Sequence, residues 1–165
     1  MTATEGNESG AAINTADLYD ERGEELASVS LQFLSLGGRS HFSGQVRTVR
    51  CFQDNALVKS TLATPGRGAV LVVDGGGSLA TALMGDMIAE SAVANGWAGV
   101  VINGAIRDRE AIRGLDLGVK ALGSNPRKSA KAGAGEVDVD VVIDGVTIRS
   151  GVMIWCDPDG ILVER

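Results

Sequence analysis

The stretch GAVLVVDGGGSLATALMGDMIAESAVANGWAGVVINGAI, residues 68–106, constrains the fold more than any other part of the chain. AVLVV is a short run without a polar residue, the pattern of a strand buried on both faces of a sheet. Three glycines turn the chain, and a helical stretch is predicted from Ser78 to Ala94, closed by Asn95-Gly96. WAGVVI is a second all-apolar strand. Strand, turn, helix and strand in this order make a βαβ unit, whose crossover is right-handed in nearly all proteins. A parallel sheet covered on both faces must therefore lie at the centre of the molecule.

The flanking segments extend that sheet. Residues 1–14 are small and polar and are expected to form a disordered tail, with residues 15–165 a single domain. Thr15 is predicted to cap a helix through ADLYDERGEEL, and Asp54 to cap one through NALVKSTLA. QVRTVRCF alternates polar and apolar side chains like a half-buried strand. After Arg107-Asp108, REAIRGLDLG predicts a short helix and VKALGS a strand. NPRKSAKAGAGE reads as a polar loop. VDVDVVID, GVTIRSGVMIWC and GILVER alternate as strands, with turns at Asp144-Gly145 and Asp157-Pro158-Asp159-Gly160. The prediction is a compact α/β domain around a mixed β-sheet.

Composition excludes several roles. Twenty-one acids against fifteen bases give a net charge of −6, which opposes direct binding to nucleic acid backbone. No apolar run approaches the roughly 18 residues of a membrane span. MTATEGNESG lacks the basic and apolar regions of a signal peptide, so a cytoplasmic protein is expected. Its two cysteines, Cys51 and Cys156, are expected to be reduced thiols.

Most local motifs have a plain structural reading. Gly75, Gly77 and Ala80 fit the G-x-G-x-x-A of a dinucleotide turn, but WAGVVINGAI ends without the acid that would hold a ribose, and a tight packing turn is expected. His41 is the only histidine, which excludes histidine-based zinc motifs. Lys120, Arg127, Lys128 and Lys131 read as a solvated basic face, with an anion site as the alternative.

Gly85-Asp86 and Arg107-Asp108 are different. Gly85 interrupts the helical stretch, where it costs about 1 kcal/mol relative to Ala. A break there would start a new helix near Met87, with free N–H groups able to receive a carboxylate or phosphate. Arg107 and Asp108 follow a buried strand, at the sheet edge where α/β proteins build their sites. Carboxylates suit a hard divalent cation such as Mg²⁺, and Arg suits a carboxylate partner. On residues alone this is a candidate metal-assisted site for a small carboxylic acid, with a surface ion pair as the alternative.

GGRSHFSG, VRTVRCFQDNALVKSTL, VLVVDGGGSLATALMGDMIAE, GWAGVVINGAIRD, DLGVKALGSNPRKSAKAGAGE and DGVTI together resemble the RraA-like family from about residue 15 to 165, actinobacterial members in particular. That family includes protein regulators of ribonuclease E and class II 4-hydroxy-4-methyl-2-oxoglutarate aldolases. Some members are labelled menaquinone methyltransferases; no residue pattern here beyond the glycine turn supports that activity. The aldolases carry an Asp, twenty residues, then Arg-Asp, which Asp86 and Arg107-Asp108 reproduce. The resemblance implies a swivelling β/β/α fold assembled as a homotrimer with sites at subunit boundaries.

It implies that Asp108 binds Mg²⁺ or Mn²⁺ directly and that Asp86 acts through metal-bound water. Arg107 would contact the keto-acid end of the substrate, and the turn of Gly85 and Asp86 with the N–H groups of Met87 and Ile88 would receive its carboxylate. The implied activity is retro-aldol cleavage to two pyruvates, with oxaloacetate decarboxylation as a second reaction; the alternative is a non-catalytic regulator of a ribonuclease E-type endonuclease. Two departures bear on efficiency. The sequence closes on DGILVER, without the extension that supplies an additional acid in longer aldolases, and SGV at 150–152 stands where many members have Pro-Gly-Asp.

Overall fold

A computed structural model describes residues 13–165. Helices cover Thr15–Arg22 (α1), Ala56–Leu62 (α2), Asp86–Ala94 (α3) and Arg109–Arg113 (α4). Strands run, in order, over Leu26–Ser28 (β1), Leu34–Ser35 (β2), Phe42–Arg50 (β3), Val70–Asp74 (β4), Ala82–Met84 (β5), Gly99–Ile106 (β6), Gly118–Ser124 (β7), Glu136–Val137 (β8), Val141–Ile143 (β9), Val146–Ile148 (β10), Met153–Asp157 (β11) and Gly160–Glu164 (β12).

The central sheet has the order β1-β12-β11-β3-β4-β6-β7-β2, with β5 added to β6 and β8 to β3. β3, β4, β6 and β7 are parallel, and β11, β12 and β1 continue antiparallel from β3. The mixed sheet is thus the one expected. Every residue of β6 is buried, and alternate side chains of β4 enter different cores. Leu71 and Val73 pack with Val58, Leu62, Ala89 and Ala92 of α2 and α3. Val70 and Val72 pack with Val141, Ile143, Ile148 and Ile154 from the antiparallel strands. Helices cover one face and strands the other, the β/β/α layering expected of the fold class.

One ring explains two glycines. A Cβ on Gly99 or Gly118 would lie 2.3 Å or 2.1 Å from carbons of the Phe42 ring, so that ring packs onto β6 and β7 only because both positions lack one. The hairpin turns at Asp144-Gly145 and 157–160 form as predicted, joining β9 to β10 and β11 to β12.

Three expectations change. Asn14, not Thr15, caps α1, its side chain accepting the Asp17 N–H at 3.1 Å. Thr15 instead donates its N–H and hydroxyl to Asp157, both at 2.7 Å, and ties the helix to the β11–β12 turn. Of the predicted tail, residues 1–12 lie outside the described residues. Asp54 does accept the Ala56 N–H at 3.1 Å, but Asn55 occupies the cap position itself.

The third change concerns Ser78–Ala94, which is not one helix. Ala82–Met84 forms β5, paired with β6, and only residues 86–94 are helical. The local helix preference of Ala and Leu yields here to a sheet edge that β5 completes.

Candidate active site

β5 and β6 run parallel and end side by side, with Met84 opposite Ile106. One chain leaves through Gly85 into α3, the other through Arg107 and Asp108 into α4. The Arg107 N–H donates to the Met84 carbonyl at 3.0 Å and locks the two exits together. Positions with twenty residues between them therefore meet, and the predicted break at Gly85 is real: it is the N-cap of α3.

Gly85 has extended backbone, φ −116° and ψ −169°, which any residue adopts. Its requirement is space. A Cβ there would sit 2.7 Å from Asp108 Oδ2 and 3.3 Å from Arg107 Nε. Asp108 has left-handed backbone, φ 60° and ψ 44°, which Asp tolerates better than most residues. From there its Oδ2 accepts the Asp86 N–H at 3.1 Å, so a carboxylate from one strand end caps the helix that begins at the other. Oδ1 of Asp108 accepts no hydrogen bond among the described residues.

Asp86 turns its own carboxylate onto the Met87 N–H at 2.8 Å. The Ile88 N–H, also in the first helical turn, has no intrahelical acceptor. Arg107 Nε stands 4.0 Å from Asp108 Oδ2, with the two side chains 42% and 40% exposed. An ion pair that loose and that wet is worth between nothing and about 1 kcal/mol. The guanidinium thus stays available to a ligand.

These residues line a cavity of about 220 Å³ beneath α3. A wider hollow of about 590 Å³ shares Asp86, Arg107 and Asp108 and opens toward Glu110 and Asn125. A separate groove of about 400 Å³, between β1, β12 and the β9–β10 hairpin, contains none of the candidate residues. It holds none of Asp86, Arg107 and Asp108, and the smaller cavity is the better candidate.

The donor set decides which metal fits. Among the described residues no group of three His, Cys, Asp or Glu could hold a metal ion. Asp86 and Asp108 are the two carboxylates on the cavity wall. That is too few for a zinc or calcium cage. It suits an ion of the Mg²⁺ type, which keeps several waters and takes one or two carboxylates plus substrate oxygens.

The glycine turn is not a phosphate cradle. The N–H groups of Gly75 and Gly77 both donate to the Asn103 carbonyl at 3.1 Å, and that of Gly76 to Asp74 Oδ1 at 3.0 Å. The chain then enters β5 in place of the helix a dinucleotide fold requires.

The basic set divides. Lys128 and Lys131 line the cavity of about 220 Å³ together with Lys59 and Asn55, two residues for which the sequence offered no local signal. Lys120 is almost fully buried elsewhere and donates to the Asp157 carbonyl at 2.7 Å, where burial lowers its pKa. Among the described residues the His41 ring bonds Ser40 alone, through Nδ1 at 3.0 Å. Cys51 and Cys156 are buried free thiols, their pKa values raised by desolvation, to about 12 for Cys51, so neither is a nucleophile at neutral pH.

The family model described as RraA-like, Aldolase/RraA, matches residues 15–163. Two solved structures are similar over nearly their whole length. One, named as an S-adenosylmethionine: 2-dimethylmenaquinone methyltransferase from Geobacillus kaustophilus HTA426, is 45% identical at a TM-score of 0.91, covering 92% of this chain and 94% of that one. The other, the RNA-processing inhibitor RraA from Thermus thermophilis, is 47% identical at a TM-score of 0.90, covering 93% of each. Streptomyces coelicolor RraAS2, named as an unusual member of the RNase ES inhibitor RraA protein family, is 28% identical at 0.72, covering 90% of this chain and 76% of its own.

Proposed function

The chain belongs to the RraA-like family, and from that premise we propose that it is a divalent-metal-dependent lyase. It cleaves 4-hydroxy-4-methyl-2-oxoglutarate to two pyruvates by a retro-aldol reaction and decarboxylates oxaloacetate as a second activity. The observation that carries this reading is the convergence at the start of α3. Asp108 accepts the Asp86 N–H, and Gly85 leaves the space into which Asp108 and Arg107 fold.

Both reactions break a C–C bond one carbon removed from a 2-keto group and leave the same pyruvate enolate. In the retro-aldol direction the C4 hydroxyl loses its proton and becomes a carbonyl, and the C3–C4 electron pair passes into the enolate, which is then protonated at C3. Asp108 would hold a divalent ion directly and Asp86 through water, and the ion would supply Lewis-acid stabilisation of that charge. Arg107 places its guanidinium at the keto-acid end of the substrate, where the charge develops. The first-turn N–H groups of α3 receive the adjoining carboxylate. The Ile88 N–H is available for this, while Asp86 must release the Met87 N–H as substrate enters. Asp86 then holds the water that takes the hydroxyl proton.

Similarity to the Thermus RNA-processing inhibitor supports a second reading, a non-catalytic regulator of a ribonuclease E-type endonuclease. The methyltransferase name of the Geobacillus protein finds no counterpart here, since the glycine turn has spent its N–H groups internally.

Incubation with oxaloacetate or the hydroxy-methyl keto acid and Mg²⁺, with and without EDTA, separates the two readings. EDTA-sensitive pyruvate release above the metal-only background is expected, reduced roughly 100-fold or more in Asp108→Ala and Arg107→Ala. No metal-dependent pyruvate from either compound overturns the lyase. Inhibition of the endonuclease that survives Asp108→Ala supports the regulator.

A further inference from the structure

The sequence contains four lysines, and three of them, Lys59, Lys128 and Lys131, line the cavity of about 220 Å³ beside Arg107 and Asp108. The chain as a whole carries a net charge of −6, yet this wall presents four positive side chains against two negative ones, Asp86 and Asp108. None of the three lysines enters a salt bridge among the described residues, although six such pairs form elsewhere. Solvated lysines on an acidic surface would be expected to disperse and find acids. Here they gather, at a cost in mutual repulsion that an anionic ligand would offset.

The wall is held in place. Lys128 and Lys131 bracket a loop segment that is tied on both sides. Ser129 Oγ donates to the Ala82 carbonyl at 2.7 Å, and Ala82 N–H donates to the Arg127 carbonyl at 2.8 Å, fixing the loop to β5 just before Gly85. On the other side the Asn55 N–H donates to the Ala130 carbonyl at 3.0 Å, and the Ala130 N–H to the Gln53 carbonyl at 2.9 Å. Lys59 lies one turn further along α2, its N–H bonded to the Asn55 carbonyl. Asn55 itself is only 8% exposed, lines the same cavity, and its Oδ1 has no hydrogen-bond partner among the described residues. A buried acceptor left open beside a cationic wall marks a place for a polar ligand.

We propose that Lys59, Lys128 and Lys131 bind the distal carboxylate of a dianionic 2-keto acid whose keto-acid end lies at Arg107 and Asp108. The wall makes the site selective for dicarboxylates over monocarboxylates. This assignment rests on the lyase reading for the orientation of the ligand, but charge selectivity can be measured without turnover.

Isothermal titration in the presence of Mg²⁺ compares 2-oxoglutarate, which has a distal carboxylate and no bond to cleave by retro-aldol reaction, with 2-oxopentanoate, which ends in a methyl group. The wild-type protein is expected to bind 2-oxoglutarate at least about tenfold more tightly. Lys128→Met with Lys131→Met should bring the two affinities close together, chiefly by weakening 2-oxoglutarate, with Lys59→Met adding to the loss. The matching Lys→Arg changes should retain the preference, and circular dichroism reports that each variant is folded. Equal affinities in the wild type overturn the proposal, as does equal weakening of both keto acids or a preference that survives loss of all three lysines. Selective binding without any lyase turnover removes the lyase and leaves the wall. Turnover without charge preference removes the wall and leaves the lyase. Failure of both keto acids to bind overturns the wall, while pyruvate release decides the lyase.

Discussion

At the scale of single residues, the site depends on one missing methyl group. Asp108 reaches the α3 N-terminus because Gly85 has no Cβ, and the left-handed turn at Asp108 aims its carboxylate there. Gly85→Ala retains a backbone conformation that Ala adopts easily, so the fold should survive, with overpacking lowering stability by about 1–3 kcal/mol. The methyl must displace Asp108 Oδ2, and misplacing a reacting group on the ångström scale costs up to roughly 100-fold in rate. Metal-dependent kcat/KM is therefore expected to fall at least about tenfold while the circular dichroism spectrum is unchanged. Full activity in a folded Gly85→Ala protein would show that the close approach of Asp108 to α3 is unnecessary.

At the scale of elements, Asp54 holds the cationic loop. Its carboxylate accepts N–H groups from Ala56, Ala132, Gly133 and Ala134 and so joins the start of α2 to residues 132–134. The Ala56 N–H leads the donors that hold Asp54 below the ordinary carboxylate range, outweighing its burial. A depressed carboxyl pKa contributes stability above the unfolded value of about 3.9, which is lost as pH falls through the folded value. The melting temperature of Asp54→Asn should lie below that of the wild type near pH 7, and the gap should close as pH drops below about 4. Asp157, lowered by bonds from Thr15, Asp159 and Gly160 despite its burial, titrates in both proteins and cancels from the difference. A gap that is the same at pH 3.5 and pH 7 would show that the carboxylate's charge does not hold the loop.

At the scale of the whole molecule, the site is open. Met87 is 79% exposed at the mouth of the cavity, and the hollow on the other side of Arg107 is wider than the cavity itself. The homotrimer implied by the family likeness would place this rim at a subunit boundary and close it. Light scattering after size-exclusion chromatography is expected to give three times the chain mass of 17.0 kDa. A monomer that still releases pyruvate at full rate would show that the site is complete within one chain.

Periodicity and turn chemistry were enough to read the buried parallel pair β4 and β6, the hairpins at Asp144-Gly145 and 157–160, and the helix break at Gly85, because each depends on neighbours within a few residues. The pattern of Asp86 with Arg107-Asp108 was legible for the same reason: buried strand ends and a glycine in a helical stretch mark the two exits.

Other features depended on partners far along the chain. Ala82–Met84 became a strand because β6 offered it an edge, against its own helical preference. Thr15 gave up the cap role to bond Asp157, 142 residues away. Lys128 and Lys131 came to lie beside Lys59 of α2 only because Asp54 and Ala82 strap their loop down, a relation with no period and no motif. The sequence by itself determined the layers and the two acids with their arginine. Tertiary structure alone decided that a cationic wall faces them, since local preferences fix where a chain turns and long-range hydrogen bonds fix which distant side chains share a cavity.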